Sequence, residues 1–139
     1  MWYLIEDFFY EMAYDRKKME EKISGIAPEL VMHYIKVLCF PKHESYIHWL
    51  REIESWMDSI SLMHMKTKNG RFKLEKYFDL LYKEPVTKIS DYTKLIRKKF
   101  GELPYTDEQI DKKLRIFVAT FSEQFSKGEY DFEKIYELI

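Results

Sequence analysis

The chain has 139 residues, 46% of them hydrophobic and 34% charged, with a single cysteine. Such a length and balance suit one globular domain that buries roughly two-thirds of its unfolded surface, and they exclude a disordered chain or a disulfide scaffold. The net charge of −1 is segregated: residues 66–99 hold eleven Lys and Arg against four acids, a local +7, while residues 1–65 and 100–139 each stand at −4.

A first helix is expected over 2–23, where Ile5, Phe9, Met12, Met19 and Ile23 follow steps of three and four, interrupted by Arg16. Trp2, Tyr3, Tyr10 and Tyr14 occupy much of the other side of its early turns. A helix apolar on both sides is buried on both, within the domain or against a partner. Gly25 and Pro28 punctuate the chain, so a second helix is expected over 28–39, with Pro28 in its first turn and Leu30, Val31, Tyr34, Ile35 and Leu38 inward. Beyond Pro41 the helix expected over 43–66 carries the strongest pattern: Tyr46, Trp49, Leu50, Ile53, Trp56, Met57, Ile60 and Met63 form one stripe. This is the expected central beam of the core, and Trp56→Ala should cost about 3–5 kcal/mol.

Asn69-Gly70 marks a turn, and a helix over 72–83 presents Leu74, Tyr77, Phe78 and Leu81 before Pro85 stops it. A helix over 90–100 starts at Ser90 or Asp91 as cap, turns Tyr92, Leu95 and Ile96 inward and ends at Gly101. Thr106 followed by Gln109 is a capping-box pattern, with Asp107 and Glu108 at the positive end of the next helix. Ile110, Leu114, Phe117, Val118, Phe121 and Phe125 carry that helix as far as Gly128, and Asp131 caps a short last one bearing Phe132, Ile135, Tyr136 and Ile139. The expected fold is all-α: a single domain over 1–139, an irregular helical bundle of six or seven helices built around the helix over 43–66.

Chemistry is sparse. His43 and His48 are separated by five positions, about 140° around a helix, and so miss the i, i+4 spacing that two zinc-binding histidines need. Glu44, His48 and Glu52 share a face, best explained as solvated ion pairing. His33 and His64 are expected at the surface or at a boundary. Cys39, between Leu38 and Phe40, is expected as a small buried hydrophobe. Glycines 25, 70, 101 and 128 are isolated, so no loop cradles phosphate, and no serine sits in a nucleophile elbow. The expectation is a protein that is not an enzyme, with no catalytic or metal site and no cofactor.

Two binding surfaces remain. Trp, Tyr, Phe and Met are enriched at interface cores, which makes Trp2, Tyr3, Tyr10 and Tyr14 a candidate surface for a protein partner or for self-association. The alternative is nucleic acid, bound by a basic middle that loosely resembles a helix-turn-helix, with Lys73, Lys76, Lys94, Arg97, Lys98 and Lys99 reaching phosphates or base edges. The expected connection there runs about six residues, longer than the usual tight turn of three or four. The first residues lack a basic n-region and a small-residue cleavage site, and no apolar run approaches the roughly 18–20 residues of a membrane span. With one cysteine, a cytoplasmic setting without membrane attachment is expected.

Overall fold

The computed structural model describes the backbone over residues 2–66 and 74–137 and the side chains over 17–64 and 75–137. Every regular element among them is helical: α1 (Trp2–Cys39), α2 (Tyr46–Lys66), α3 (Leu74–Phe78), a π-turn (Asp79–Lys83), α4 (Glu84–Val86), α5 (Ile89–Phe100), α6 (Asp107–Lys127) and α7 (Phe132–Tyr136). The all-α bundle is therefore as expected.

The helices expected over 2–23 and 28–39 are instead one. α1 runs unbroken through Gly25 and Pro28. Pro28 supplies no N–H to the Ser24 carbonyl, and its ring crowds that carbonyl, a defect of about 3 kcal/mol in a helix interior. Burial overrides the defect. Met19, Ile23, Ala27, Leu30, Val31, Tyr34 and Ile35 form one buried stripe that passes the proline without a change of phase. At roughly 1.5–3 kcal/mol for each large apolar side chain, the stripe outweighs the missing hydrogen bond. Gly25 is exposed with open space where a Cβ would stand, so it marks neither a turn nor a close approach.

Pro85 does not stop its helix either. The Glu84 N–H reaches back to the Asp79 carbonyl in the π pattern. This widened turn sits immediately before the proline, where the chain must accommodate a missing donor and a bulky ring. Helical backbone continues to Val86, and only Thr87 and Lys88 separate it from α5. The six-residue connection expected there is thus a two-residue one. α5 begins after Lys88 with no side-chain cap, so Ser90 and Asp91 lie within it rather than ahead of it. Its buried face is Tyr92, Thr93 and Ile96, and Leu95, expected inward, is 57% exposed.

α6 follows its sequence signals closely. Thr106 Oγ1 accepts from the Gln109 N–H at 3.2 Å, and the Gln109 side chain accepts from the Thr106 N–H at 2.9 Å. All six residues of its expected stripe are buried, and Gly128 closes the helix in the left-handed region at φ 70°. Asp131 caps α7 through the Glu133 N–H at 3.0 Å.

Cross-helix contacts fix the directions. Lys76 meets Glu20 at 2.9 Å, and the Lys36 ammonium lies 5.6 Å from the Phe100 ring, so the arm over 74–100 runs alongside α1 in the same direction. α2 runs the opposite way, with Glu52 against His33 and Trp49 against Lys36. α6 does likewise, from Asp107 beside Arg97 to Phe125 beside Tyr77. Tyr34 of α1 stacks on Phe117 of α6 at 4.5 Å in the middle of the core. The centre of the bundle is therefore shared by α1, which touches α2, the π-turn, α4, α5 and α6, and by α6, which touches α1, α2, α3, the π-turn, α5 and α7, and it is not the helix over 46–66. Within α2, Ile53, Met57 and Ile60 are fully buried, while Trp56 is half-buried with the His33 ring edge-on at 4.9 Å.

Candidate functional site

The side chains of Trp2, Tyr3, Tyr10 and Tyr14 lie outside the described residues, but their backbone belongs to α1. At 38 residues α1 is about 57 Å long, whereas α2, at 21 residues, spans about 32 Å. An antiparallel hairpin of the two therefore leaves roughly 25 Å of α1 beyond the reach of α2. The arm begins level with Glu20, and α6 ends near the same level, where Phe125 meets Tyr77.

The basic middle is partly neutralised from within. Lys73 lies outside the described residues. Lys76 is paired with Glu20, and Lys83 with Asp79 at 3.3 Å. Arg97 is half-buried and bonded to Asp107 at 3.1 Å and to Thr93 at 3.4 Å, so it ties α5 to the start of α6. Lys94, Lys98 and Lys99 are exposed on α5, with the Lys99 ammonium 5.5 Å from the Phe100 ring. The candidate residues thus divide into a structural pair, Lys76 and Arg97, and a solvent-facing trio.

The histidines sit more deeply than expected. His64 is buried, its Nδ1 2.5 Å from the Tyr77 hydroxyl across the α2–α3 junction. His33 is buried as well and links two helices: its Nδ1 donates to the Glu29 carbonyl at 2.9 Å, and its Nε2 lies 2.8 Å from Glu52. Glu52 also meets His48 at 2.8 Å. With both nitrogens facing acceptors, only the imidazolium satisfies this geometry fully. Burial and the neighbouring Lys36 ammonium nevertheless hold the His33 pKa below its ordinary value, against the weaker pull of Glu52 and Glu29. Desolvation prevails over the carboxylate because the ring is largely buried, while Glu52 stays part-exposed and is shared with His48. No sequence spacing signals this link, because its partners stand on different helices.

Next to it, the Lys36 ammonium lies 5.6 Å from the rings of both Trp49 and Phe100, and His43 stacks on Trp49 at 4.7 Å. Burial and Lys99 lower the Lys36 pKa. Cys39 is buried as expected, and burial pushes its thiol up to about 11. Among the described residues no group of His, Cys, Asp and Glu is placed to hold a metal ion, and no helix is long and apolar enough to cross a membrane. No protein-family model matches the chain, and neither a curated protein nor a solved structure is significantly similar to it.

Proposed function

We propose that this chain is a non-catalytic interaction module that docks a protein partner through the aromatic face formed by Trp2, Tyr3, Tyr10 and Tyr14. The length of α1 relative to α2 carries the reading: the segment holding these rings extends past the hairpin that covers the rest of the helix. Tyr and Trp supply large amphipathic contact area at low entropic cost, which suits them to anchor a partner. A buried free cysteine suits a reducing compartment, which supports a cytoplasmic setting for this module. The test is photo-crosslinking from a benzophenone side chain at position 10, with sedimentation velocity on the wild type and on a Trp2→Ser, Tyr10→Ser variant. A discrete crosslinked partner or dimer, abolished in the variant, supports the proposal. A strictly monomeric protein with no discrete crosslink overturns it.

A second reading, nucleic-acid binding, is favoured by the exposure of Lys94, Lys98 and Lys99 along one helix. Three phosphate contacts give a salt slope near −2.7, so raising salt from about 50 to about 200 mM should weaken binding roughly 40-fold. Fluorescence anisotropy with mixed-sequence DNA and RNA measures this, and Lys94→Glu with Lys98→Glu should abolish it. Arg97 is unsuited to that test, because its loss would also release Asp107. Absence of binding at the lower salt retires the reading.

A further inference from the structure

The outer face of α2 carries a pattern that is complementary to itself. Ile53, Met57 and Ile60 turn the inner face into the core. On an ideal helix Ile47, Arg51, Glu54, Ser55, Asp58 and Leu62 share an arc of about 100° on the far side from that buried triplet. All six are exposed, and all but Ile47 line one shallow, open depression along the helix. Two of them are large apolar side chains, Ile47 at 53% and Leu62 at 55% exposure, where a helix with a single buried face carries polar residues. Among the described residues Arg51 and Asp58 form no ion pair, although both lie on this stripe.

Spacing supplies the complementarity. The six positions pair off symmetrically about a point midway between Glu54 and Ser55. Ile47 and Leu62 stand about 11 Å to either side of it, and Arg51 and Asp58 about 5 Å. In a two-fold antiparallel pair of these helices each Ile47 therefore meets Leu62 of the other copy, and each Arg51 meets Asp58. A parallel two-fold pair would set Arg51 against Arg51 and Asp58 against Asp58, so charge selects the antiparallel arrangement. Glu54 and Ser55 occupy opposite flanks of the stripe close to the symmetry axis, and each meets its own copy. The Ser55 pair is small and lets the backbones approach, whereas the Glu54 pair repels. The Tyr130 phenol stands beside Asp58 and Glu54, and burial together with Asp58 raises its pKa. A carboxylate has about four acceptor sites, so Asp58 can receive the arginine as well.

We propose that two copies of this chain associate through α2, paired antiparallel, with Ile47 packed on Leu62 and Arg51 bonded to Asp58 on each side of the two-fold axis. The paired stretch is about 22 Å long and about 10–12 Å wide, roughly 250 Å² per copy, against about 800 Å² per partner in a stable interface of standard size. The dimer is accordingly weak and concentration-dependent. It uses none of the aromatic residues at the start of α1.

The test is sedimentation equilibrium of the full chain from about 20 μM to about 1 mM, a range that covers the dissociation constant of such an interface. A monomer–dimer equilibrium that persists in the Trp2→Ser, Tyr10→Ser variant is expected, so this association stands or fails separately from docking at the aromatic face. Arg51→Asp and Asp58→Arg should each raise the dissociation constant roughly tenfold or more, since each turns two attractive pairs into two repulsive ones. The double variant should restore it to within about threefold of the wild type. Glu54→Gln should tighten the dimer by removing the repulsive pair. All three positions are exposed, so these variants should keep the fold. A monomer at the highest concentration overturns the proposal. So do single reversals that leave the dimer unchanged, a double variant that fails to recover it, or a dimer lost in the Trp2→Ser, Tyr10→Ser variant.

Discussion

Replacing Pro28 by alanine measures directly what the bundle tolerates to keep α1 whole. An interior proline costs about 3 kcal/mol through the lost hydrogen bond and the ring clash. Two terms oppose its removal. Proline restricts the unfolded chain, which contributes about 0.4–1 kcal/mol of stability. The ring also lines the cavity between α1 and the arm while remaining half-buried, so its lost contact amounts to about one methylene, roughly 0.8 kcal/mol. The net expectation is a gain of about 1–2 kcal/mol, or roughly 3–8 °C in melting temperature for a domain of this size. Differential scanning calorimetry and urea unfolding would measure it, with the urea slope unchanged because no additional surface is involved. Hydrogen exchange adds a site-specific readout: the new amide at position 28 should be protected to nearly the global unfolding free energy. A melting temperature that stays level or falls would refute the reasoning, since α1 would then need the proline's distortion to seat its buried stripe.

Three further outcomes are expected. Leu95→Lys should change stability by no more than about 0.5 kcal/mol, whereas Ile96→Ala should cost about 2–5 kcal/mol; equal costs in chemical denaturation would contradict the orientation of α5. The thiol of Cys39, buried and raised to about 11, should react with a disulfide reagent at about pH 8 only through unfolding, so native-state labelling as fast as that of the denatured chain would contradict its placement. His33 has a folded-state pKa below its ordinary 6.5, so the unfolded chain binds the proton more readily. Stability contributed by the neutral ring is therefore complete above about 6.5 and declines as the pH falls through the lower folded value. Urea titrations between about pH 7.5 and 5 should show a shallower decline in His33→Gln than in the wild type, and identical slopes would dismiss His33 as the source.

Most of the helical content was legible because it rests on local signals. The capping box at Thr106 and Gln109, the left-handed Gly128, and the stripe from Ile110 to Phe125 are properties of neighbouring residues, and the structure realises them together. The same holds for the buried triplet Ile53, Met57 and Ile60 in α2. The candidate surfaces were less legible. Lys76, Lys94, Arg97 and Lys98 look alike as a string of charges, yet Lys76 and Arg97 are held by Glu20 and Asp107 from other elements while Lys94 and Lys98 face solvent. Hydrophobicity alone points the Leu95 side chain inward, but the neighbours of α5 bury Thr93 instead, its hydroxyl satisfied by the Ser90 carbonyl at 3.1 Å.

By itself the sequence determined the helical class, the strongest amphipathic faces and the capped ends, because these depend on side-chain period and on backbone groups within a few residues. Only the tertiary structure decided whether a proline ends a helix or is carried within it. Pro28 and Pro85 each present the same local penalty, and its outcome depends on apolar partners supplied from elsewhere in the chain. Where α2, α6 and the arm offer α1 a continuous surface, burial exceeds the cost of one missing hydrogen bond, and the helix continues.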